Sequence, residues 1–100
     1  MPRYDLEIHR TAKRELDALA AEDRDRLTDT LSEVAATRQP TTHDSVRQLE
    51  GQDGLFRVRV GRVRAICTLS KPQVLILKVD YRDSVYDGID EVHERLPAAG

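Results

Sequence analysis

Arginine is concentrated in the middle of the chain, and its spacing there is regular. Arg57 and Arg59 alternate with apolar residues, and Arg64 follows a Gly61–Arg62 pair that suits a two-residue type II′ turn. With the turn at that pair, Arg59 lies directly opposite Arg64 on the neighbouring strand. Guanidinium groups bind phosphate through two parallel hydrogen bonds and stack on bases, so the pattern indicates RNA or DNA as the class of ligand.

The charge of the chain is distributed unevenly around this segment. The formal net charge is only -2 over 100 residues. Residues 1–54 hold 8 basic and 12 acidic side chains, residues 55–82 hold 7 and 1, and residues 83–100 hold 1 and 5. A basic segment between acidic ends favours an anionic ligand, although a solvated sheet face rich in arginine would give the same count.

The N-terminal half predicts one strand followed by a helical hairpin. Alternating apolar residues indicate a strand over residues 3 to 9. Helical spacing predicts a first helix with Thr11 as its N-cap and, after a polar break at residues 21 to 23, a second helix that ends before Pro40. The apolar positions of the two helices are Ala12, Leu16, Leu19, Leu27, Leu31, Val34 and Ala35.

The C-terminal half predicts three strands and a helix. Residues 55–60 alternate, residues 63–69 follow the turn and complete a hairpin, and residues 74–81 supply a fourth strand. Val85 and the apolar residues that follow at helical spacing, Ile89, Val92 and Leu96, predict a C-terminal helix that ends at Pro97. The whole chain, residues 1–100, is therefore predicted to be one α+β domain. The helices, an N-terminal hairpin and a short C-terminal helix, pack on one face of a mostly antiparallel four-stranded sheet.

The predicted strand register determines which side chains share a face of that sheet. On the helix-packed face we expect Phe56, Val58, Val60, Val63, Ala65, Cys67, Leu75, Leu77, Val79 and Tyr81. On the opposite face we expect Arg57, Arg59, Arg64, Lys78, Asp80 and Arg82. Arg59 and Arg64 would repel each other across the hairpin, and either a bound anion or Asp80 beside Arg64 would relieve that repulsion.

Other kinds of catalytic chemistry have no support in the sequence. The three histidines and one cysteine lack the spacing of a zinc site, and there is neither a phosphate-binding loop nor a nucleophile elbow. Cys67 is expected in the core and His93 on an ordinary helix surface. We therefore expect no metal and no cofactor. The apolar runs are too short to span a membrane, and the first residues lack the layout of a secretory signal, so a cytoplasmic protein is expected.

Several motifs, taken together, resemble a known family over nearly the whole length of the chain. They are Tyr4-Asp5-Leu6-Glu7-Ile8, Ala12-Lys13-Arg14-Glu15-Leu16, Val46-Arg47-Gln48-Leu49-Glu50-Gly51, Phe56-Arg57-Val58-Arg59-Val60-Gly61, Val63-Arg64-Ala65-Ile66 and Tyr81-Arg82-Asp83-Ser84-Val85-Tyr86. In this combination the chain resembles the RelE/ParE superfamily of toxin-antitoxin toxins, and more closely its RelE-like mRNA interferases.

The resemblance implies a small α+β toxin that enters the ribosomal A site and cleaves mRNA without a metal. In such toxins the ribose 2′-hydroxyl attacks the adjacent phosphate, which leaves a cyclic phosphate and a 5′-hydroxyl. The resemblance assigns catalytic roles to Arg57, Arg59, Arg64, Arg82 and Tyr86. The arginines bind and stabilise the phosphorane charge, with Arg82 near the leaving oxygen, and Tyr86 orients or deprotonates the 2′-hydroxyl or stacks on a base.

Further contacts and partners complete this interpretation. We expect Arg62, Lys71 and Lys78 to bind RNA, and the resemblance implies a cognate antitoxin, with which the chain forms a hetero-oligomer, as well as the ribosome and mRNA. No membrane partner is expected. Two alternatives remain: a ParE-like inhibitor of gyrase, which usually lacks the tyrosine of the Arg-x-x-Val-Tyr motif, and a catalytically inactive homologue bound by antitoxin.

Overall fold

A five-stranded mixed sheet and three α-helices make up the part of the chain that the computed structural model describes, residues 4–52 and 54–96. The elements are β1 Asp5–Ile8, α1 Arg10–Asp17, α2 Ala21–Ala36, β2 Val46–Gln48, β3 Leu55–Val60, β4 Val63–Ser70, β5 Gln73–Tyr81 and α3 Ile89–Glu94, with 3-10 helices at Pro40–Thr42 and Arg82–Tyr86. The predicted α+β class is confirmed. Arg3 and Pro97, at which we placed an element boundary, lie outside the described residues.

The strands lie in the order β1-β5-β4-β3-β2, with β1 parallel to β5 and every other pair antiparallel. The sheet has five strands rather than the expected four because β2 pairs with the outer edge of β3. The β3–β4 hairpin has the predicted register, with Arg59 opposite Arg64 and Val60 opposite Val63. Gly61 opens its turn at a φ of 57°, a conformation that glycine adopts without steric cost.

The helices α1 and α2 cover one face of the sheet and bury the helix-side core. Its buried members include every apolar helix position expected from the sequence: Ala12, Leu16, Leu19, Leu27, Leu31, Val34 and Ala35. The N-cap of α1 is His9 rather than Thr11, because the His9 Nδ1 accepts a hydrogen bond from the Thr11 backbone N–H at 3.1 Å. Within the described ranges, no helix has the length and apolar character needed to cross a membrane.

The connection between α1 and α2 lies three residues earlier in the chain than expected. Residues 21 to 23, which we interpreted as a polar break, are the first turn of α2. Glu22 and Asp23 are well placed there, because carboxylates stabilise the positive end of the helix dipole. The two helices are therefore joined by only three residues, 18 to 20.

A β-bulge in β5 changes which of its side chains face the helices. Ile66 pairs with Lys78 and the next residue, Cys67, pairs with Ile76, so Leu77 is the extra residue of β5. Val79 and Tyr81 pack against the helix-side core as expected. Leu75 and Leu77 do not, which corrects the prediction. They pack on the opposite face in a second core, with Leu55, Ile66, Leu77, Val85 and Val92 as its buried members.

The C-terminal helix covers part of the face that we expected to carry only charged residues. It is also shorter than predicted: Val85 lies in the preceding 3-10 helix, and α3 begins at Ile89. Gly88 separates the two in a left-handed conformation, φ 67°. Arg95 then joins this end of the chain to α1 and β5, since its Nη1 donates to Glu15 Oε1 at 3.1 Å and to the Leu77 carbonyl at 2.8 Å.

Candidate nucleic-acid interface

Four arginines lie together on the face of the sheet away from α1 and α2. Arg59 lies opposite Arg64 across the β3–β4 hairpin, and Arg47 of β2 lies opposite Arg57 of β3. Because Arg57 and Arg59 are two residues apart on one strand, both pairs project from the same face. We call this set, Arg47, Arg57, Arg59 and Arg64, the arginine cluster.

The arginine cluster borders an open cleft of about 320 Å³ at the β2 edge of the sheet. Asp44, Ser45, Arg47, Arg57, Arg59 and Gly61 line it. These residues come from β2, β3, the segment before β2 and the hairpin turn. The cleft is open to solvent and lined by three guanidinium groups and one carboxylate, so it suits a phosphate group on a flexible chain.

The side chains of Arg47 and Arg64, on the two strands that flank β3, are held differently from those of Arg57 and Arg59 on β3 itself. Arg64 donates from Nη1 to the carbonyls of Gly61 and Val63 at 2.8 and 3.0 Å, and Arg47 donates to the Val46 carbonyl at 3.0 Å. Among the described residues, no carboxylate lies within 4.0 Å of the guanidinium of Arg57 or Arg59. These two side chains retain their hydrogen-bonding capacity for a ligand.

Asp80 lies directly across from Arg64 in the register of β4 and β5, as predicted. One row of this face therefore reads Arg59, Arg64, Asp80 from β3 to β5. A carboxylate at the end of the row partly offsets the repulsion between the two arginines without entering the cleft.

The second core adjoins the arginine cluster. Ile66, one of its buried residues, is the cross-strand partner of Arg57. Tyr86 is half-buried against this core, with the rest of its side chain open to solvent. Arg57 and Tyr86 thus both border the second core, and guanidinium groups and an aromatic ring are the side chains that bind the phosphate and the base of a nucleotide.

Arg82 occupies an unusual backbone conformation just after β5. Its φ is 46°, in the left-handed region, and its backbone N–H donates to the Arg62 carbonyl at 2.6 Å. A non-glycine residue is strained in this region and stays there only where its surroundings hold it. The side chain is exposed, and it leaves the chain where β5 gives way to the 3-10 helix rather than from the sheet surface itself.

The three residues expected to bind RNA outside the catalytic set lie in three different places. Arg62 is engaged by Asp23 on the helix side. Lys78 lies on the arginine side of the sheet, but it is buried and its Nζ donates to the Asp87 carbonyl. Lys71 directly follows Ser70, the last residue of β4, which lies about 20 Å along the strand from Arg64 at a rise of about 3.3 Å per residue.

Arg47 is the member of the arginine cluster that sequence reasoning missed. Its strand spans only Val46–Gln48, too short for alternation to be visible. The available signal was the run of residues 46 to 51 that carries the family resemblance, which contains Arg47 just before the hairpin.

The remaining candidates lie away from the cleft. Cys67 is fully buried, and burial raises the pKa of its thiol far above the ordinary range. His93 is exposed on α3 and its Nε2 lies 2.5 Å from Gln52 Oε1. In the described part of the chain, no three histidine, cysteine or carboxylate side chains are grouped so that they could hold a metal ion.

Comparison with known proteins gives matches at the level of structure. No protein-family model matches the chain, and no curated protein sequence matches it. Among solved structures, the E. coli toxin RelE, a double arginine-to-alanine variant in the free state, aligns with a TM-score of 0.76 and 19% identity over 97% of this chain and 100% of that one.

Two toxin-antitoxin complexes also match. The archaeal RelE-RelB complex from Pyrococcus horikoshii OT3 gives a TM-score of 0.67 and 24% identity over 81% of this chain and 97% of that one. The RelBE2 complex from Mycobacterium tuberculosis gives a TM-score of 0.67 and 24% identity over 82% of this chain and 94% of that one. The resemblance carried by the sequence motifs is therefore confirmed at the level of architecture: this chain has the fold of the RelE toxins.

Proposed function

We propose that this protein is the toxin of a toxin-antitoxin system and that it cleaves mRNA in the A site of the ribosome, in the cytoplasm. The observation that carries the proposal is the arginine cluster, in which Arg57 and Arg59 face an open cleft with no carboxylate partner among the described residues. A cation cluster of this kind is costly in a surface chosen for stability alone. The RelE fold and the Arg-x-x-Val-Tyr motif at residues 82 to 86 also support the proposal.

The reaction we propose is a transesterification. The ribose 2′-oxygen bonds to the adjacent phosphorus, the bond from phosphorus to the 5′-oxygen breaks, and the products are a 2′,3′-cyclic phosphate and a 5′-hydroxyl. The 2′-hydroxyl loses its proton to a base, and the leaving 5′-oxygen gains one. Atoms and charge balance without a co-reactant.

The residues have separate roles in this reaction. The phosphorane transition state carries more negative charge than the ground state, so fixed guanidinium groups lower the barrier. Arg57 and Arg64 are our first choices for this stabilisation, with Arg59 holding the chain in the cleft. Tyr86 is the candidate for orienting or deprotonating the 2′-hydroxyl, since arginine does not give up its proton. Arg82 is proposed to lie near the leaving oxygen.

The experiment is cleavage of a defined mRNA bound to ribosomes with the A site empty. We expect the wild-type protein to cut the mRNA on ribosomes but not the same RNA free in solution, and Arg64→Ala to lower the rate by at least about 100-fold. Arg14→Ala is the matched control, because Arg14 is exposed on α1 on the far side of the sheet. It removes the same charge and should leave the rate unchanged.

Other outcomes would replace the proposal. If the mRNA stays intact while DNA supercoiling by gyrase is blocked, the protein acts as a ParE-like inhibitor. If neither activity is present, it is an inactive homologue that keeps the fold.

An antitoxin partner is the second part of the proposal. The solved RelE-like structures include complexes in which RelE is bound to RelB. We expect a small protein encoded beside this one to co-purify with it as a hetero-oligomer and to suppress its activity. Purification of the two proteins expressed together tests this directly.

A further inference from the structure

Arg62, at the tip of the β3–β4 hairpin, is held on the helix side of the sheet. Its Nε and Nη2 donate to the same carboxylate oxygen, Asp23 Oδ2, at 3.0 and 2.8 Å. Its guanidinium also lies over the ring of Tyr81, 5.1 Å from the centroid. The Tyr81 hydroxyl in turn accepts a hydrogen bond from the Ala20 backbone N–H at 3.0 Å. We propose that Asp23, Arg62 and Tyr81 form a turn clamp that positions the arginine cluster, and that Arg62 is a positioning residue rather than an RNA contact.

The turn clamp acts on the part of the hairpin that needs support. Arg59 and Arg64 are the last outward-facing pair before the turn, and two like charges at this position push the strand ends apart. Asp23 in the first turn of α2 holds the turn from the opposite face. The distance between the guanidinium groups of Arg59 and Arg64 is therefore set partly by the contact of Asp23 with Arg62 on the opposite face of the sheet.

The same residue also holds Arg82. The carbonyl of Arg62 accepts the hydrogen bond of the Arg82 N–H at 2.6 Å, and Arg82 has the strained φ of 46°. A strained residue persists only where neighbouring contacts fix it. Through one side chain and one carbonyl, Arg62 thus joins the start of α2, the hairpin tip and the segment that leads to Tyr86.

A direct RNA contact by Arg62 fits these contacts less well. Two of its donor nitrogens, Nε and Nη2, already bind one carboxylate oxygen, which fixes the guanidinium on the helix side of the sheet. The Asp23 side chain is only 13% exposed, and its pKa is lowered mainly by the hydrogen bonds from Arg62. Releasing Arg62 to a phosphate would remove both guanidinium hydrogen bonds from a carboxylate that has little contact with solvent.

The test compares Arg62→Gln, Asp23→Asn, the double variant and Arg62→Lys, and it rests on the proposed mRNA cleavage. The turn clamp predicts that each single variant lowers kcat on ribosomes about 10-fold while KM is unchanged, and that the double variant is no slower than either single variant. Arg62→Lys keeps the charge but loses the two-pronged geometry, so it should be as slow as Arg62→Gln. Unfolding midpoints for all four variants establish that they are folded.

An RNA contact predicts a different pattern. For binding of a short fluorescent single-stranded RNA, the slope of log K against log salt concentration would then fall in magnitude by about 0.7 in Arg62→Gln, because one fewer phosphate is neutralised. Asp23→Asn would cleave mRNA at the normal rate. That result overturns the proposal. The turn clamp predicts an unchanged slope in Arg62→Gln.

One readout does not depend on cleavage at all. We expect the Arg82 amide to be protected from hydrogen exchange in the wild-type protein and to exchange at least about 10-fold faster in Arg62→Gln and in Asp23→Asn. If the wild-type protein fails to cleave mRNA, the proposed function fails, and this exchange still decides whether the turn clamp exists. Unchanged exchange in both variants overturns it.

Discussion

Two pairs of arginines face each other directly across neighbouring strands, Arg47 with Arg57 and Arg59 with Arg64. Like charges in this position cost a few tenths of a kcal/mol to about 1 kcal/mol. Asp80 partly offsets only the second pair, because it lies next to Arg64. The arrangement therefore favours binding of an anion and lowers the stability of the unliganded fold.

This repulsion gives the first prediction. Replacing Arg59 by Gln removes one charge of the Arg59–Arg64 pair and should raise the free energy of unfolding by about 0.5 kcal/mol, while cleavage or RNA binding weakens. Urea denaturation measures the change. Arg14→Gln is the control, because it removes an exposed charge from α1 and should change stability very little. A loss of stability in Arg59→Gln would show that the arginines do not repel each other in the folded protein.

The second prediction concerns the acid side of the stability curve. Hydrogen bonds from Arg62 lower the pKa of Asp23 below its usual value of 3.8. A carboxylate whose pKa is depressed by folding stabilises the protein above its unfolded pKa, and that stabilisation is lost as the pH falls through the folded pKa. Wild type should therefore be more stable than Asp23→Asn at pH 7, and the difference should disappear at a pH below the folded pKa of Asp23.

Thermal unfolding of the two proteins between neutral pH and about pH 2 measures this directly. Glu22, whose carboxylate pairs with Arg26 on the exposed surface of α2, supplies a control. Glu22→Gln should give a smaller difference at every pH because exposed pairs contribute little. A difference between wild type and Asp23→Asn that persists unchanged at low pH would contradict the prediction.

At the scale of elements, β3 and β4 were the most predictable part of the molecule. Alternation over residues 56 to 60 of β3 and a glycine that tolerates a φ of 57° leave one register, since a slip of one residue would turn every arginine into the core. The helix-side core was predictable for a related reason, because helical spacing repeats over enough turns to be recognised.

The elements that were missed carry no such repeat. β2 has three residues, and β5 contains four consecutive apolar residues, 74 to 77, that look the same on either face. Only tertiary packing decides that Leu77 is the extra residue of a bulge and that Leu75 turns toward α3. The location of α3 was likewise unpredictable, since its apolar stripe fits either side of the sheet.

The backbone at the end of β5 gives the third prediction. Glycine accepts the left-handed conformation of Arg82 without strain and alanine does not, so Arg82→Gly should be about 1 kcal/mol more stable than Arg82→Ala. Both variants lack the guanidinium and should cleave equally poorly. Urea denaturation of the pair separates the backbone effect from the loss of the side chain. Equal stability of the two variants would mean that this φ carries no cost.

At the scale of the whole molecule, the two faces of the sheet differ in charge. The arginine cluster occupies one face, while α2 on the other face carries five carboxylates against two arginines, Arg24 and Arg26, a net charge of -3. The net charge of -2 therefore hides a dipolar protein. A polyanion is attracted to one face and repelled by the other, so charge alone orients it during the encounter.

This dipolar distribution gives the last prediction, on the salt dependence of RNA binding. Each phosphate neutralised on a single strand contributes about -0.7 to the slope of log K against log salt concentration, so the four arginines of the cluster predict a total slope of about -3. Replacing Arg57 and Arg59 together by Gln should reduce the magnitude of the slope by about 1.4. The measurement is fluorescence anisotropy of a labelled single-stranded RNA between about 50 and 200 mM salt.

The salt slope distinguishes two explanations of RNA binding, the net charge of the whole chain and the local charge of the arginine cluster. If the overall charge of -2 governed the encounter, RNA would bind weakly with a slope near zero, and replacing Arg57 and Arg59 would change the slope no more than replacing Arg10 and Arg14 of α1. If the arginine cluster governs the encounter, only replacement of Arg57 and Arg59 in the cleft changes the slope, because counterions are released only where phosphate and guanidinium meet. The same four residues then account for both the cost in stability and the affinity for RNA.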